Sequence, residues 1–207
     1  MTQTTLGDDL AYVRDMAEAG RTAPLLGGRF LAWWGALASL AYAGHYAIAT
    51  GTVDFGPAAY GWLWAGFGII GTAGYLWLVK TMSGAKPGAA SAGNKAEASV
   101  WMAGGMVLFA YFITLTVKSF ATGQADIGFL YSLPVVFAVY AVALLTSGAM
   151  GKNPTLRNAG FAAIAMVAIS TWFTGTNHVW LIASIGVFLT VFVPGVVLMR
   201  QEPSDIV

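Results

Sequence analysis

The stretch Val179-Trp180-Leu181-Ile182-Ala183-Ser184-Ile185-Gly186-Val187-Phe188-Leu189-Thr190-Val191-Phe192-Val193-Pro194-Gly195-Val196-Val197-Leu198-Met199 holds no charged residue and ends on Arg200. A run of about twenty apolar residues matches the ~30 Å hydrocarbon thickness of a bilayer when wound as a helix. Lipid offers the backbone no hydrogen-bond partner, so such a run closes its own bonds as a helix. A barrel strand would alternate apolar and polar positions, and this run does not.

Working outward, five further runs read the same way: Phe30–Ala49, Ala59–Val79, Ser99–Val117, Ile127–Met150 and Ala159–Phe173, the last being the shortest. The composition agrees, with 57% hydrophobic and only 9% charged residues, against roughly 25% charged in an ordinary soluble domain. The sequence therefore predicts an all-α integral membrane protein, a bundle of six transmembrane helices over residues 29–201. A cytoplasmic tail (1–28) precedes it and a short one (202–207) follows.

Sidedness follows from the basic residues, because Lys and Arg in short loops stay on the cytoplasmic side. Arg14, Arg21 and Arg29 precede run 1, Lys80, Lys86 and Lys95 separate runs 2 and 3, Lys152 and Arg157 separate runs 4 and 5, and Arg200 follows run 6. Of the ten Lys and Arg residues only Lys118 falls on the other side, where its stem is expected to snorkel to the headgroups. Both termini are thus expected in the cytoplasm. Tryptophan, which favours the headgroup region, agrees: Trp33, Trp34, Trp77 and Trp101 fall near the inner ends and Trp62, Trp64, Trp172 and Trp180 near the outer ends. Compact loops and an acidic N-terminal stretch unlike a cleavable signal place the chain in a bacterial inner membrane.

In the tail, Leu6, Leu10, Val13 and Ala17 recur at helical spacing, Thr5 with Asp8 forms a capping-box pattern, and Gly20 is a natural stop. This predicts a short amphipathic helix on the cytoplasmic surface. Residues 82–97, rich in Gly, Ala, Ser and a Pro, read as a flexible linker. The three hairpins share a basic start and an aromatic residue opening each return helix, a hint of repetition that any six-helix protein obeying the charge rule would also give.

Two packing features are legible. Gly61, Ala65, Gly68 and Thr72 place small side chains on one face of helix 2, which suits close approach of a neighbouring backbone and predicts a place inside the bundle or at a dimer seam. Pro134 and Pro194 each remove a backbone donor, so helices 4 and 6 are expected to kink or open there. Ser132, Ser170, Thr171 and Thr114 are expected to hydrogen-bond between helices.

The chemistry is sparse. Cysteine is absent, which excludes disulfides, thiolate metal sites and Cys nucleophiles. A net charge of +1 gives no footprint for nucleic acid. No Asp, Glu, Lys or Arg falls near the centre of any run, which argues against a proton pump or voltage sensor. Gly148-Ala149-Met150-Gly151-Lys152-Asn153 resembles a phosphate loop, but the GxxxxGK[ST] spacing fails and Asn153 stands in place of the hydroxyl. No serine-hydrolase elbow, HExxH pair or dinucleotide fingerprint is present. The remaining cluster is His45, Asp54, Asp126 and His178 at one outer depth, a weak candidate for a metal or haem. No catalytic residue or cofactor is assigned. The sequence predicts a non-enzymatic accessory subunit or small regulatory or sensory module whose partners are the lipid bilayer and another membrane protein or a second copy. A transporter or channel for a small neutral or apolar solute is the alternative, followed by a haem- or metal-binding membrane protein.

Overall fold

The structure, a computed structural model, describes residues 11, 24–56, 58–81 and 88–202. All regular structure among them is helical. The helices are α1 (Gly28–Ala49), α2 (Ala59–Thr81), α3 (Ala92–Thr122), α4 (Ile127–Met150), α5 (Pro154–Trp172) and α6 (His178–Gln201). Apart from Ala11, the expected amphipathic helix over Thr5–Glu18 lies outside the described residues, as does the tail after Glu202. Four helices, α2, α3, α4 and α6, are long and apolar enough to cross a membrane. In α1 the Trp, Tyr, Gly and His45 residues dilute the apolar character, and α5 carries Arg157 and Asn158 near its start.

Helix ends depart from the apolar runs because capping, rather than apolarity, sets them. Ser91 accepts a bond from the Asn94 amide at 3.2 Å and starts α3 seven residues ahead of Ser99. The last six residues of the expected linker, 92–97, are therefore helical. Gly123, at φ 69°, ends α3 in the left-handed conformation. Asn153 likewise caps α5 through the Leu156 amide at 3.1 Å with Pro154 in the first turn, so α5 starts five residues before Ala159.

In space the helices neighbour one another in the order α2, α1, α6, α5, α4, α3. The core lies among α1, α4, α5 and α6, with Leu133, Phe137, Leu144, Leu156, Ala163, Ala183 and Val187 fully buried. α2 and α3 flank this core and present broad apolar faces outward, including Trp62, Ile69, Met106 and Phe109.

The closest seam joins α1 to α6. A Cβ on Gly35 would lie 2.5 Å from the Phe192 backbone nitrogen, one on Gly195 2.4 Å from the Ala32 nitrogen, and one on Gly28 2.7 Å from the Met199 nitrogen. Only glycine lets the two backbones approach so closely. Ser184 Oγ donates to the Ser39 carbonyl across the same seam at 2.8 Å. The stretch Phe188–Phe192 of α6 is wound as a π turn just ahead of Pro194. That widened turn accommodates the missing proline donor while the helix continues. Pro134 stands where the short 3-10 turn Ile127–Tyr131 has just given way to α-helix (Ser132–Met150). A first-turn amide has no helical acceptor to lose, so Pro134 interrupts no ladder in mid-helix.

Two packing expectations need correcting: that the small-residue face of α2 lies inside the bundle, and that the hydroxyls bond between helices. Gly61 and Gly68 meet nothing within 4 Å, and Ala65 and Thr72 are exposed, so this face of α2 points away from the bundle. The glycines that pack α2 on α1 are Gly71 and Gly74, against Trp34 and Trp33, with Trp33 Nε1 donating to the Gly71 carbonyl at 3.1 Å. Ser132, Ser170, Thr171 and Thr114 bond within their own helical stretches, to the carbonyls of Phe129, Val167, Val167 and Ala110. Such back-bonding satisfies a hydroxyl without any partner helix.

Gly35→Ala is expected to cost about 1–3 kcal/mol by forcing the α1 and α6 backbones apart, whereas Gly61→Ala changes stability by less than about 1 kcal/mol, in the stabilising direction. Reversible unfolding of the two variants in mixed micelles measures both; equal effects would place the seam elsewhere.

Candidate functional site

The buried polar chemistry gathers at the end of the bundle where α1 and α3 begin and α6 finishes. Asn94, in the first turn of α3, is buried and holds two chain segments at once. Its Oδ1 accepts from the Leu26 amide at 2.8 Å, and its Nδ2 donates to the carbonyls of Pro24 at 2.9 Å and Gly88 at 3.0 Å. An amide side chain is suited to this because it accepts and donates in one plane. Leu25 is pressed between Gly93 and Gly151, tying the segment before α1 to the α4–α5 turn as well.

One turn on, Glu97 is 4% exposed and its Oε1 has no hydrogen-bond partner. Its carboxyl group lies against Gly27, where a Cβ would come within 2.5 Å of Oε1. Gly27 is the N-cap of α1 and offers no capping side chain, and the first turn of α1 has no acidic residue. Glu97 thus brings from α3 a carboxyl group that accepts from the Gly27 amide at the start of α1, where no capping side chain is present. Glu202, immediately after α6, brings a second carboxyl into electrostatic reach of Glu97. Arg29 Nε lies 3.4 Å from Glu202 Oε2, with the Glu202 side chain 3% exposed. Trp101, a further turn along α3, has a buried Nε1 with no partner, and its ring lies 5.9 Å from that of Tyr140.

This junction therefore joins three parts of the chain: the segment leading out of the N-terminal tail, the start of α3 and the end of α6. None of its members stands out in the sequence as a site. Asn94, Glu97 and Glu202 are single polar residues at the margins of apolar runs, and nothing local indicates that they meet. The one available signal is that Glu97 stands immediately before a charge-free run, where an unpaired carboxylate would be costly.

The outer cluster is not brought together. His45 Nδ1 accepts from Trp64 Nε1 at 3.1 Å, and the His45 ring is stacked 3.7 Å from that of Trp180, with Tyr60 4.6 Å away. The imidazole is thereby a hydrogen-bonded member of an aromatic stack, with Nδ1 already used. Asp54 bonds the Gly56 amide at 3.0 Å, and His178 lies exposed beside Tyr46. Asp126 Oδ2 pairs with Lys118 Nζ at 2.6 Å; that bond and the Gly128 amide hold the Asp126 carboxyl below its usual range. Lys118 is thus neutralised by a neighbour on the loop instead of reaching alone for the headgroups. Among the described residues no three His, Cys, Asp or Glu side chains are grouped to hold a metal.

Compared with protein families, curated proteins and solved structures, the chain matches none.

Asn94→Ala removes four side-chain bonds and leaves the Leu26 amide, two carbonyls and the Ser91 hydroxyl to find other partners. The expected cost is about 2–4 kcal/mol, with faster hydrogen exchange at the Leu26 amide. Thermal unfolding and exchange mass spectrometry check this; an unchanged Leu26 amide would mean that Asn94 does not hold the segment.

Proposed function

We propose that this chain is a six-pass membrane protein of a bacterial inner membrane with both termini in the cytoplasm, acting as a non-enzymatic accessory or regulatory module. Its working part in this reading is the junction at the cytoplasmic end. Support comes first from charge: no Asp, Glu, Lys or Arg falls near the centre of any of the six apolar runs, and the basic residues gather at one side. The observation that carries the reading is the convergence of Asn94, Glu97, Arg29 and Glu202 on the segment that leads from the N-terminal tail into α1. A change in how that tail engages a partner has a direct mechanical route to α3 and to the end of α6.

In this reading the amphipathic segment docks on another membrane protein or on the bilayer surface, and the junction relays its position to the bundle. A binding event transmits through such a junction only as far as it favours one arrangement over another. The outward apolar faces of α2 and α3 meet lipid.

The full chain and a form lacking residues 5–20, each purified from its native membrane under mild detergent, provide the test. The full chain is expected to carry a stoichiometric membrane-protein partner that the shortened form loses while keeping its helical content. An identical partner set for both forms would refute the role given to the tail.

A further inference from the structure

Glu97 asks for an explanation that holding the fold together does not supply. A glutamine there would bring the same shape with no charge, and an alanine would bring neither burden. The chain instead buries a titratable group whose Oε1 receives no bond and sets a second carboxyl, Glu202, close enough to act on it.

The groups around it come from each neighbouring element. The segment entering α1 presents the Gly27 amide and then Arg29, which is engaged with Glu202. The end of α6 presents Glu202. On α3 itself Lys95 is exposed, as is Arg200 on α6, and the α4–α5 turn carries Lys152; among the described residues none of these three cations forms an ion pair with Glu97. Among the described residues the buried carboxyl therefore faces the Gly27 amide at the start of α1 and the Glu202 carboxylate. The proton itself is the ligand that such a pair best accepts, since two carboxyl groups in a dry site do not both ionise.

We propose that Glu97 is a proton-operated latch: carrying a proton taken from the cytoplasmic solvent, it seats between Gly27 and Glu202 and holds the three segments closed, and on releasing that proton it is repelled by Glu202 and frees them. The inference rests on the cytoplasmic placement of the junction given above and adds the condition under which the junction opens. It does not depend on the identity of any partner.

Glu97 stands in the polar first turns of α3, ahead of the charge-free run Ser99–Val117. Burial pushes its carboxyl up from the ordinary 4.5 to about 7; the Gly27 amide opposes the rise and the Glu202 carboxylate adds to it. The sign follows. Between the two values the folded junction binds a proton that the unfolded chain has already released, so its stability falls as pH rises through that window and is level above it. The latch is closed on the acid side and loosened on the alkaline side of about 7. This range is set where a cytoplasm operates, which an ordinary surface glutamate could not sense.

The absence of native cysteine allows a direct test. Spin labels on Ala90→Cys and Gln201→Cys, both at exposed positions, report the separation of the α3 start from the α6 end in the full chain held in lipid nanodiscs. A narrow, short distance is expected on the acid side, giving way to a longer and broader distribution with a midpoint near 7. Glu97→Gln should hold the short distance at every pH, and Glu202→Gln, which removes the neighbouring carboxylate that helps raise the Glu97 carboxyl, should move the midpoint downward. Should Glu97→Gln fail to fold, hydrogen exchange at the amides of residues 25–28 in the unsubstituted chain gives the same reading, slow in acid and faster above the midpoint after correction for intrinsic exchange. A separation and an amide protection that do not change with pH would overturn the latch, as would an unaltered transition in Glu97→Gln. If instead residues 90 and 201 label only from the outer side of the membrane, the cytoplasmic placement fails while the pH response stands, so the two claims are separable.

Discussion

The backbone contact between α1 and α6 is the constraint on which the rest depends. Gly28 and Gly35 on one helix and Gly195 on the other leave no room for a Cβ, so the two helices touch along much of their length in opposite directions. That contact brings the beginning of α1 beside the end of α6, and so sets Arg29 next to Glu202. It also leaves the N-terminus of α1 open to whatever α3 brings, which is the Glu97 carboxyl. The polar junction is in this sense a product of apolar packing. The π turn before Pro194 belongs to the same contact, since Phe192, its last residue, is the one that Gly35 meets.

Placing polar groups this way satisfies two opposed demands. A helix crossing lipid must not carry an unpaired charge near its middle, yet a bundle made only of apolar surfaces has little to fix the order of its helices, because lipid tails solvate those surfaces nearly as well. The chain meets both by keeping most side-chain hydrogen bonds inside helices along the apolar runs, with the Ser184–Ser39 and Trp33–Gly71 bonds as exceptions, and gathering its other long-range polar contacts at the ends. Asn94 spans roughly seventy residues of sequence to reach Leu26 and Pro24. At the opposite end the Trp64–His45 bond, the Lys118–Asp126 pair and the Asn177 bond to the Ala49 carbonyl do comparable work. A bundle pinned at its ends has a natural place for control, because few groups need to change for an end to loosen.

The sequence showed where the helices lie better than how they pack. Apolar runs mark helices because lipid leaves no other backbone solution, and all six runs coincide with helices in the structure. Their ends were less legible, since Ser91 and Asn153 begin helices through capping bonds that hydropathy does not register. Small-residue spacing singled out Gly61 and Gly68, which face away from the bundle, and passed over Gly28, Gly35 and Gly195, which make its tightest seam. Spacing locates a face on a helix but not the neighbour that meets it. The junction was hidden for the same reason: Asn94, Glu97, Arg29 and Glu202 are scattered in sequence, and only the α1–α6 contact unites them. The titratable residues that did stand out, His45, Asp54, Asp126 and His178, do not share a site: His45, Asp54 and Asp126 are held by hydrogen bonds to near neighbours, and His178 lies exposed beside Tyr46.

The account rests on a bundle that threads a bilayer so that its polar junction and its loop ends take fixed sides. Single cysteines at Thr52 and Ala90, probed in intact cells and again after permeabilisation with a membrane-impermeant maleimide, measure this directly. Thr52→Cys should react in intact cells and Ala90→Cys only once the membrane is opened. Reaction of both under the same condition would contradict the arrangement, and with it the placement of the junction on the cytoplasmic face.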